Sequence, residues 1–189
     1  YAVLATIIDT NHAGSATGTL QIAKADQTIT FAALTPVTFN DPNFSLTASS
    51  TSGLAVAFTS SNPAVASISG TTVSIVGAGN ATITATQVGS ANYNAAPPVD
   101  RVLTVNKAAA TVTLGSLAAT YDGTPKSATA ITSPTGRVVT FTYDGNVPPP
   151  INAGTYAVVG TIVDPNFTGT ASGSLVIAKA PQTITFGAL

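Results

Sequence analysis

The chain has no cysteine, no methionine, no tryptophan and no glutamate among its 189 residues, and it has a single histidine. Without cysteine there is neither a disulfide nor thiolate chemistry, and that count alone reveals no redox compartment. Charged residues make up 7% of the chain, against about 25% in ordinary soluble domains. A net charge of −1 excludes the basic footprint that nucleic acid or an anionic lipid surface attracts. With neither an initiator methionine nor a signal peptide, the sequence reads as an internal or processed piece of something larger. Long apolar runs are missing as well. The longest, such as Leu54–Phe58, are about five residues and end at Ser, Thr or Gly, far below the ~20 that a helical membrane span needs.

Ala, Val, Ile and Thr fill the space those residues leave. That is a β-sheet composition, with Thr giving a polar but uncharged outer face. The sequence also repeats itself. Tyr1–Leu34 returns as Tyr156–Leu189, 155 positions later throughout, with about two-thirds of the positions identical.

Between the copies, short alternating runs are separated by turn signals, the pattern of a sandwich. From Ala25 to Asn106 the spacing predicts strands at Gln27–Phe31, Phe44–Ala48, Leu54–Ser60, Val65–Ser69, Thr72–Val76, Ala81–Thr86 and Val102–Asn106. The turns between them include Asn40-Asp41-Pro42-Asn43, Ser52-Gly53, Asn62-Pro63 and Ser69-Gly70. Gly there permits positive φ, and Pro fixes φ while denying the ladder a donor. From Lys107 onward, strands are predicted at Thr111–Leu114, Ser127–Ile131, Arg137–Tyr143, Thr155–Val163 and Thr170–Ile177. No window carries a capped helical period. The expected fold is all-β, built of tandem Ig-like β-sandwich modules with no substantial helix.

The run SSNPAVASISGTTVSIVGAGNATITAT (Ser60–Thr86) resembles the bacterial immunoglobulin-like modules of group 2. Its Ser-x-Asn-Pro-x-Val-Ala opening and its Gly-x-Gly-x-Ala-Thr-Ile-Thr-Ala strand carry the likeness. Phe58 stands where many such modules have Trp. TYDGTPKSATA (Thr120–Ala130), VTFTYDG (Val139–Gly145), NAGTYAVVGTI (Asn152–Ile162) and GSLVIAKA (Gly173–Ala180) resemble the MBG/YDG-type repeats of large bacterial surface and adhesin proteins. These resemblances imply four pieces: residues 1–24 as the C-terminal strands of an incomplete MBG-type module, 25–106 as a bacterial Ig-like sandwich, 107–180 as an MBG/YDG-type module, and 181–189 as the first strand of the next Ig-like module. The first piece is too short to bury a core. Either a neighbouring chain completes it or it docks as a hairpin on the module that follows.

The junctions Ile22-Ala23-Lys24-Ala25, Val105-Asn106-Lys107-Ala108 and Ile177-Ala178-Lys179-Ala180 pass from strand to strand with no flexible spacer. A stiff string of modules is expected, each roughly 30–40 Å long with strands of about seven residues at ~3.3 Å.

Candidate chemistry is sparse. Acid–base catalysis most often uses His or Glu beside a positioned partner. His12 is the sole histidine and is replaced by Phe167 in the second copy, so no enzyme activity and no cofactor are expected. Three Asp-x-Asn turns, Asp9/Asn11, Asp41/Asn43 and Asp164/Asn166, fit Asx-turns. They are also the candidate calcium ligands, although calcium wants six to eight oxygens and each turn offers one carboxylate. Sequons mark Asn43, Asn80 and Asn166 for glycosylation. The Thr-x-Thr ladders, such as Thr82/Thr84/Thr86, read as solvent faces, and Lys24, Lys107, Lys126 and Lys179 as solvated cations rather than isopeptide donors.

The expected function is a structural repeat of an extracellular bacterial surface stalk or secreted filament: a rigid spacer without catalysis, assembling head-to-tail by strand complementation. The expected partners are other copies of the same repeat and glycans, with no nucleic acid and no membrane insertion. The alternative is an adhesin module that binds glycan or host protein through its turns.

Overall fold

The computed structural model describes residues 1–187, and these are all-β, with nineteen strands and no helix among them. Strands β1 (Ala2–Thr6) and β2 (Ser15–Thr19) form an antiparallel hairpin. A first sandwich follows, made of β3 (Ile29–Phe31), β4 (Val37–Thr38), β5 (Phe44–Ser45), β6 (Ala48–Ser50), β7 (Ala57–Ser60), β8 (Ala66–Ser69), β9 (Thr72–Ile75), β10 (Gly79–Thr86) and β11 (Val99–Asn106). A second contains β12 (Ala108–Ala109), β13 (Thr111–Gly115), β14 (Ala118–Thr120), β15 (Thr129–Ser133), β16 (Val138–Tyr143), β17 (Gly154–Val163), β18 (Phe167–Thr168) and β19 (Thr170–Ala178).

In the first sandwich, the sheet β4-β11-β10-β7 faces the strands β5-β9-β8 and β3-β6. Period-two alternation sends Ala81, Ile83 and Ala85 of β10 and Leu103 and Val105 of β11 inward, where Phe31, Phe58, Val73 and Leu46 meet them. The second sandwich repeats the scheme with the sheet β14-β19-β17-β16. Val158, Leu175 and Ile177 point inward there and pack with Tyr143, Leu114 and Leu117. The Tyr143 hydroxyl accepts a hydrogen bond from the Ala128 amide at 2.8 Å, so this buried ring leaves no polar atom stranded.

Both sandwiches share one switch between sheets, which in the second comes after β12 has paired parallel with β18. β3 pairs antiparallel with β6, after which the chain switches sheets and β4 runs parallel to β11, with Val37 opposite Val105. β13 pairs antiparallel with β15, and β14 then runs parallel to β19, with Ala118 opposite Val176.

Several expectations need correction. The single strand expected at Phe44–Ala48 is two, because Phe44–Ser45 pairs with β9 whereas Ala48–Ser50 pairs with β3. Strand β14 was not foreseen, since Ala118-Ala119-Thr120 offers no alternation. Residues 181–187 of the stretch expected to open a further Ig-like module have no partner strand among the described residues, and Ala188 and Leu189 lie outside them. Of the two fates open to residues 1–24, docking on the following sandwich is not adopted: every residue from 1 to 26 is exposed.

Candidate functional site at the joint between the sandwiches

One residue, Lys107, separates β11 from β12. So short a link places the loops of the two sandwiches in contact, and those loops make a polar cluster that spans both. It centres on Asp164–Phe167, the turn between β17 and β18. The Asp164 carboxylate folds back on its own turn: Oδ1 accepts the amides of Asn166 at 2.8 Å and Phe167 at 3.0 Å. Oδ2 accepts Nη1 of Arg137 at 2.9 Å. The guanidinium in turn lies over the Phe167 ring, 4.6 Å from its centroid, a cation–π contact. Lys107 Nζ donates to the Asp164 carbonyl at 2.7 Å, tying the link itself to the turn.

With the turn held, Asn166 and Phe167 cross to the first sandwich. Asn166 Oδ1 accepts the amide of Ala78 at 2.8 Å, from the turn that precedes β10. Phe167 meets Phe39 edge to face, with centroids 5.4 Å apart and planes at 86°. Phe39 packs against both cores, joining Phe167, Ile162 and Ala108 on one side and the first core on the other. Apolar contact and a hydrogen bond therefore fix the joint together, and neither alone would set both distance and rotation.

Hydrogen bonds from the Asn166 amide and then from Arg137 hold the Asp164 carboxyl below the usual carboxylate range. Because its folded pKa is depressed, the stability it adds is complete above the unfolded carboxylate value near about 4 and is lost as pH falls through the lower folded value. Melting of the chain should accordingly be level from neutral pH to about pH 5 and drop in more acidic buffer. Asp164→Asn should make that acid limb shallower, the remainder coming from Asp122, whose carboxyl hydrogen bonds from Lys126 and then Thr124 also hold well below the usual range. Circular dichroism melts across the pH range check this, and an unchanged acid limb in the variant would assign the drop elsewhere.

The other candidate residues are dispersed. Asp9 accepts the Asn11 amide at 2.8 Å and contacts His12 Nδ1 at 2.8 Å, all in the exposed β1–β2 turn. Asp41 Oδ2 accepts the Thr38 amide at 2.6 Å, and Asn43 is exposed nearby. Among the described residues no three His, Cys, Asp or Glu side chains gather, so Asp9, Asp41 and Asp164 remain single carboxylates in separate turns. Of the sequon residues, Asn43 and Asn80 are exposed, whereas Asn166 is half-buried and spends its side-chain carbonyl on the joint. The Asp164 turn was legible as an Asx-turn, but its partners were not. Ala78 and Phe39 lie 88 and about 130 residues away in sequence, and no local pattern marks contacts at such separations. The one available signal was the change from His12 to Phe167 between copies.

The MBG domain family profile matches residues 1–26 and 110–181, together just over half of the chain. No curated protein matches the sequence. Among solved structures, one determined to explain Dscam isoform specificity is similar over 90% of this chain, with 13% identity and a TM-score of 0.41. The chain spans about half, 52%, of that Dscam chain. Human protocadherin-24 EC1-2 is similar over 79% of this chain and 94% of its own, with 12% identity and a TM-score of 0.32. Both likenesses are distant. The family match covers the hairpin as well as the second sandwich, in register with the internal repeat, and on it the chain belongs to the MBG domain family.

Proposed function

We propose that the chain is a spacer segment of an exported bacterial surface stalk or filament, working by length and stiffness and without catalysis. The joint carries this reading. A one-residue link, an edge-to-face aromatic pair and the Asn166–Ala78 hydrogen bond together suppress hinging between the sandwiches. Family membership supports a surface-protein module, and the uncharged Thr-rich exterior suits a passive shaft. Along such a stalk, repeats follow one another head to tail, with strands of one completing sandwiches of the next.

Small-angle scattering of the full chain tests the proposal. Wild-type protein should give one narrow maximum dimension. Phe167→Ala removes the aromatic contact and about 3–5 kcal/mol of core burial, and should broaden that distribution. A wild-type curve that already demands free hinging would overturn the spacer role. A second reading, an adhesin, draws on an open groove of about 420 Å³ between Phe31, Leu34, Val37 and Phe44, with Asp41 at its rim. Reproducible binding on a glycan array would favour it over the shaft.

A further inference from the structure

The hairpin at the start of the chain repeats, 155 positions earlier, the two longest strands of the second sandwich. In that sandwich the inward side chains Val158, Ile162, Leu175 and Ile177 are 0, 7, 0 and 2% exposed. Their counterparts Val3, Ile7, Leu20 and Ile22 are 47, 54, 52 and 70% exposed. Tyr1, the counterpart of Tyr156, is 79% exposed on the same face. Five large apolar side chains on a two-stranded hairpin form half of a core, and a lone hairpin is at best marginally stable in water.

The structure itself displays what covers such a face. Leu114, Leu117, Ala128, Phe141 and Tyr143 pack on Val158, Leu175 and Ile177, and all five come from residues 107–153. We propose that the apolar face of the β1–β2 hairpin is a docking surface for one occupant: a segment of the 107–153 type from another repeat, which closes a further MBG sandwich around it. This rests on the head-to-tail reading above and names the parts that meet. A whole second copy does not suffice. Residues 1–189 hold one 107–153 segment and two stretches that can pack on it, so exchange between copies of these residues alone leaves a hairpin bare.

The repeat also predicts selectivity. Where the second sandwich has Gly160, the hairpin has Ala5. A Cβ at position 160 would lie 2.9 Å from Leu114 Cδ2, 3.2 Å from Val139 Cγ1 and 3.3 Å from Phe141 Cε1. The hairpin therefore favours an occupant slimmer at the Leu114 position. The other two close approaches are retained: Gly173 is matched by Gly18 and Gly169 by Gly14, so the crossing backbone at Ala110, 2.0 Å from a Cβ on Gly169, still fits.

The test adds unlabelled synthetic peptide 107–153 to isotope-labelled full chain and follows amide exchange by NMR. Protection should appear and saturate across Ala2–Ile7 and Thr17–Ile22. Leu20→Asp should weaken it at least about tenfold, while Ala5→Gly, or Leu114→Val in the peptide, should tighten it about fivefold. If the peptide aggregates, the same segment fused ahead of Tyr1 gives the second measurement, and Leu20→Ala should then destabilise as Leu175→Ala does. Three results would overturn the proposal: a hairpin still unprotected at millimolar peptide or in the fusion, equal binding by Leu20→Asp, or protection that rises with chain concentration alone. None of them bears on the scattering of the joint, so the spacer reading stands or falls separately.

Discussion

Leu175→Ala is expected to cost about 3–4 kcal/mol, whereas Leu20→Ala should cost less than about 0.5 kcal/mol. The two leucines occupy the same place in the repeat, yet Leu175 is fully buried and Leu20 is half exposed. Leu175 sits among Val158, Ile177 and the side chains of the opposing layer. Truncating it removes its transfer free energy and leaves a cavity that a close-packed sandwich of this size relaxes into only partly. At Leu20 little is lost, because little is covered. For a unit of about 70 residues, the Leu175 loss translates into a fall of roughly 15 °C or more in the melting of the second sandwich. Thermal unfolding followed by near-UV circular dichroism of the tyrosines, with Tyr143 in that core, reads the difference. Equal costs at the two sites would mean that the hairpin is already packed in solution.

Gly169→Ala should be the more damaging of a second matched pair, at about 3 kcal/mol or more, against a small effect for Gly14→Ala. A Cβ on Gly169 would lie 2.0 Å from the carbonyl oxygen of Ala110 and 3.0 Å from its carbon. These are backbone atoms, held by the hydrogen bond from the Ala110 amide to the Thr168 carbonyl at 2.8 Å. Neither side can yield without opening the β12–β18 pair, and that pair positions Ala108 and Phe167 at the joint. On Gly14 the new methyl meets only the tip of Ile7, with Cδ1 at 3.1 Å, and that side chain can turn away. Gly169→Ala should therefore both lower stability and broaden the scattering profile. A variant that melts like wild type would show that Ala110 can move.

Alternation carried most of the fold into view. Gly154–Val163 alternates exposed and buried positions along its length, as its sequence announces, because both faces of a half-buried strand must be satisfied at once. The all-β class followed from such runs. The limits were set by pairing rather than by propensity. Phe44, Leu46 and Ala48 continue one apolar alternation, so the switch of partners between Phe44–Ser45 and Ala48–Ser50 leaves no mark in composition. At the joint, Asp164 announced a turn because its bonds to Asn166 and Phe167 are local. Asn166 gave no hint that its side chain reaches Ala78, nor Arg137 that it lies across Phe167. Those contacts depend on how two sandwiches meet, which is a property of the assembled chain.

The parallel strand pairs inside each sandwich have a mechanical consequence. β4 lies beside β11, and β14 beside β19 over Ala118–Val176, Ala119–Ile177 and Thr120–Ala178. When the two termini of such a unit are drawn apart, these adjacent strands are dragged past each other lengthwise. Their bonds must then rupture together, not in succession as when a hairpin peels open. Tension along the chain is thus met by the strongest direction of each ladder.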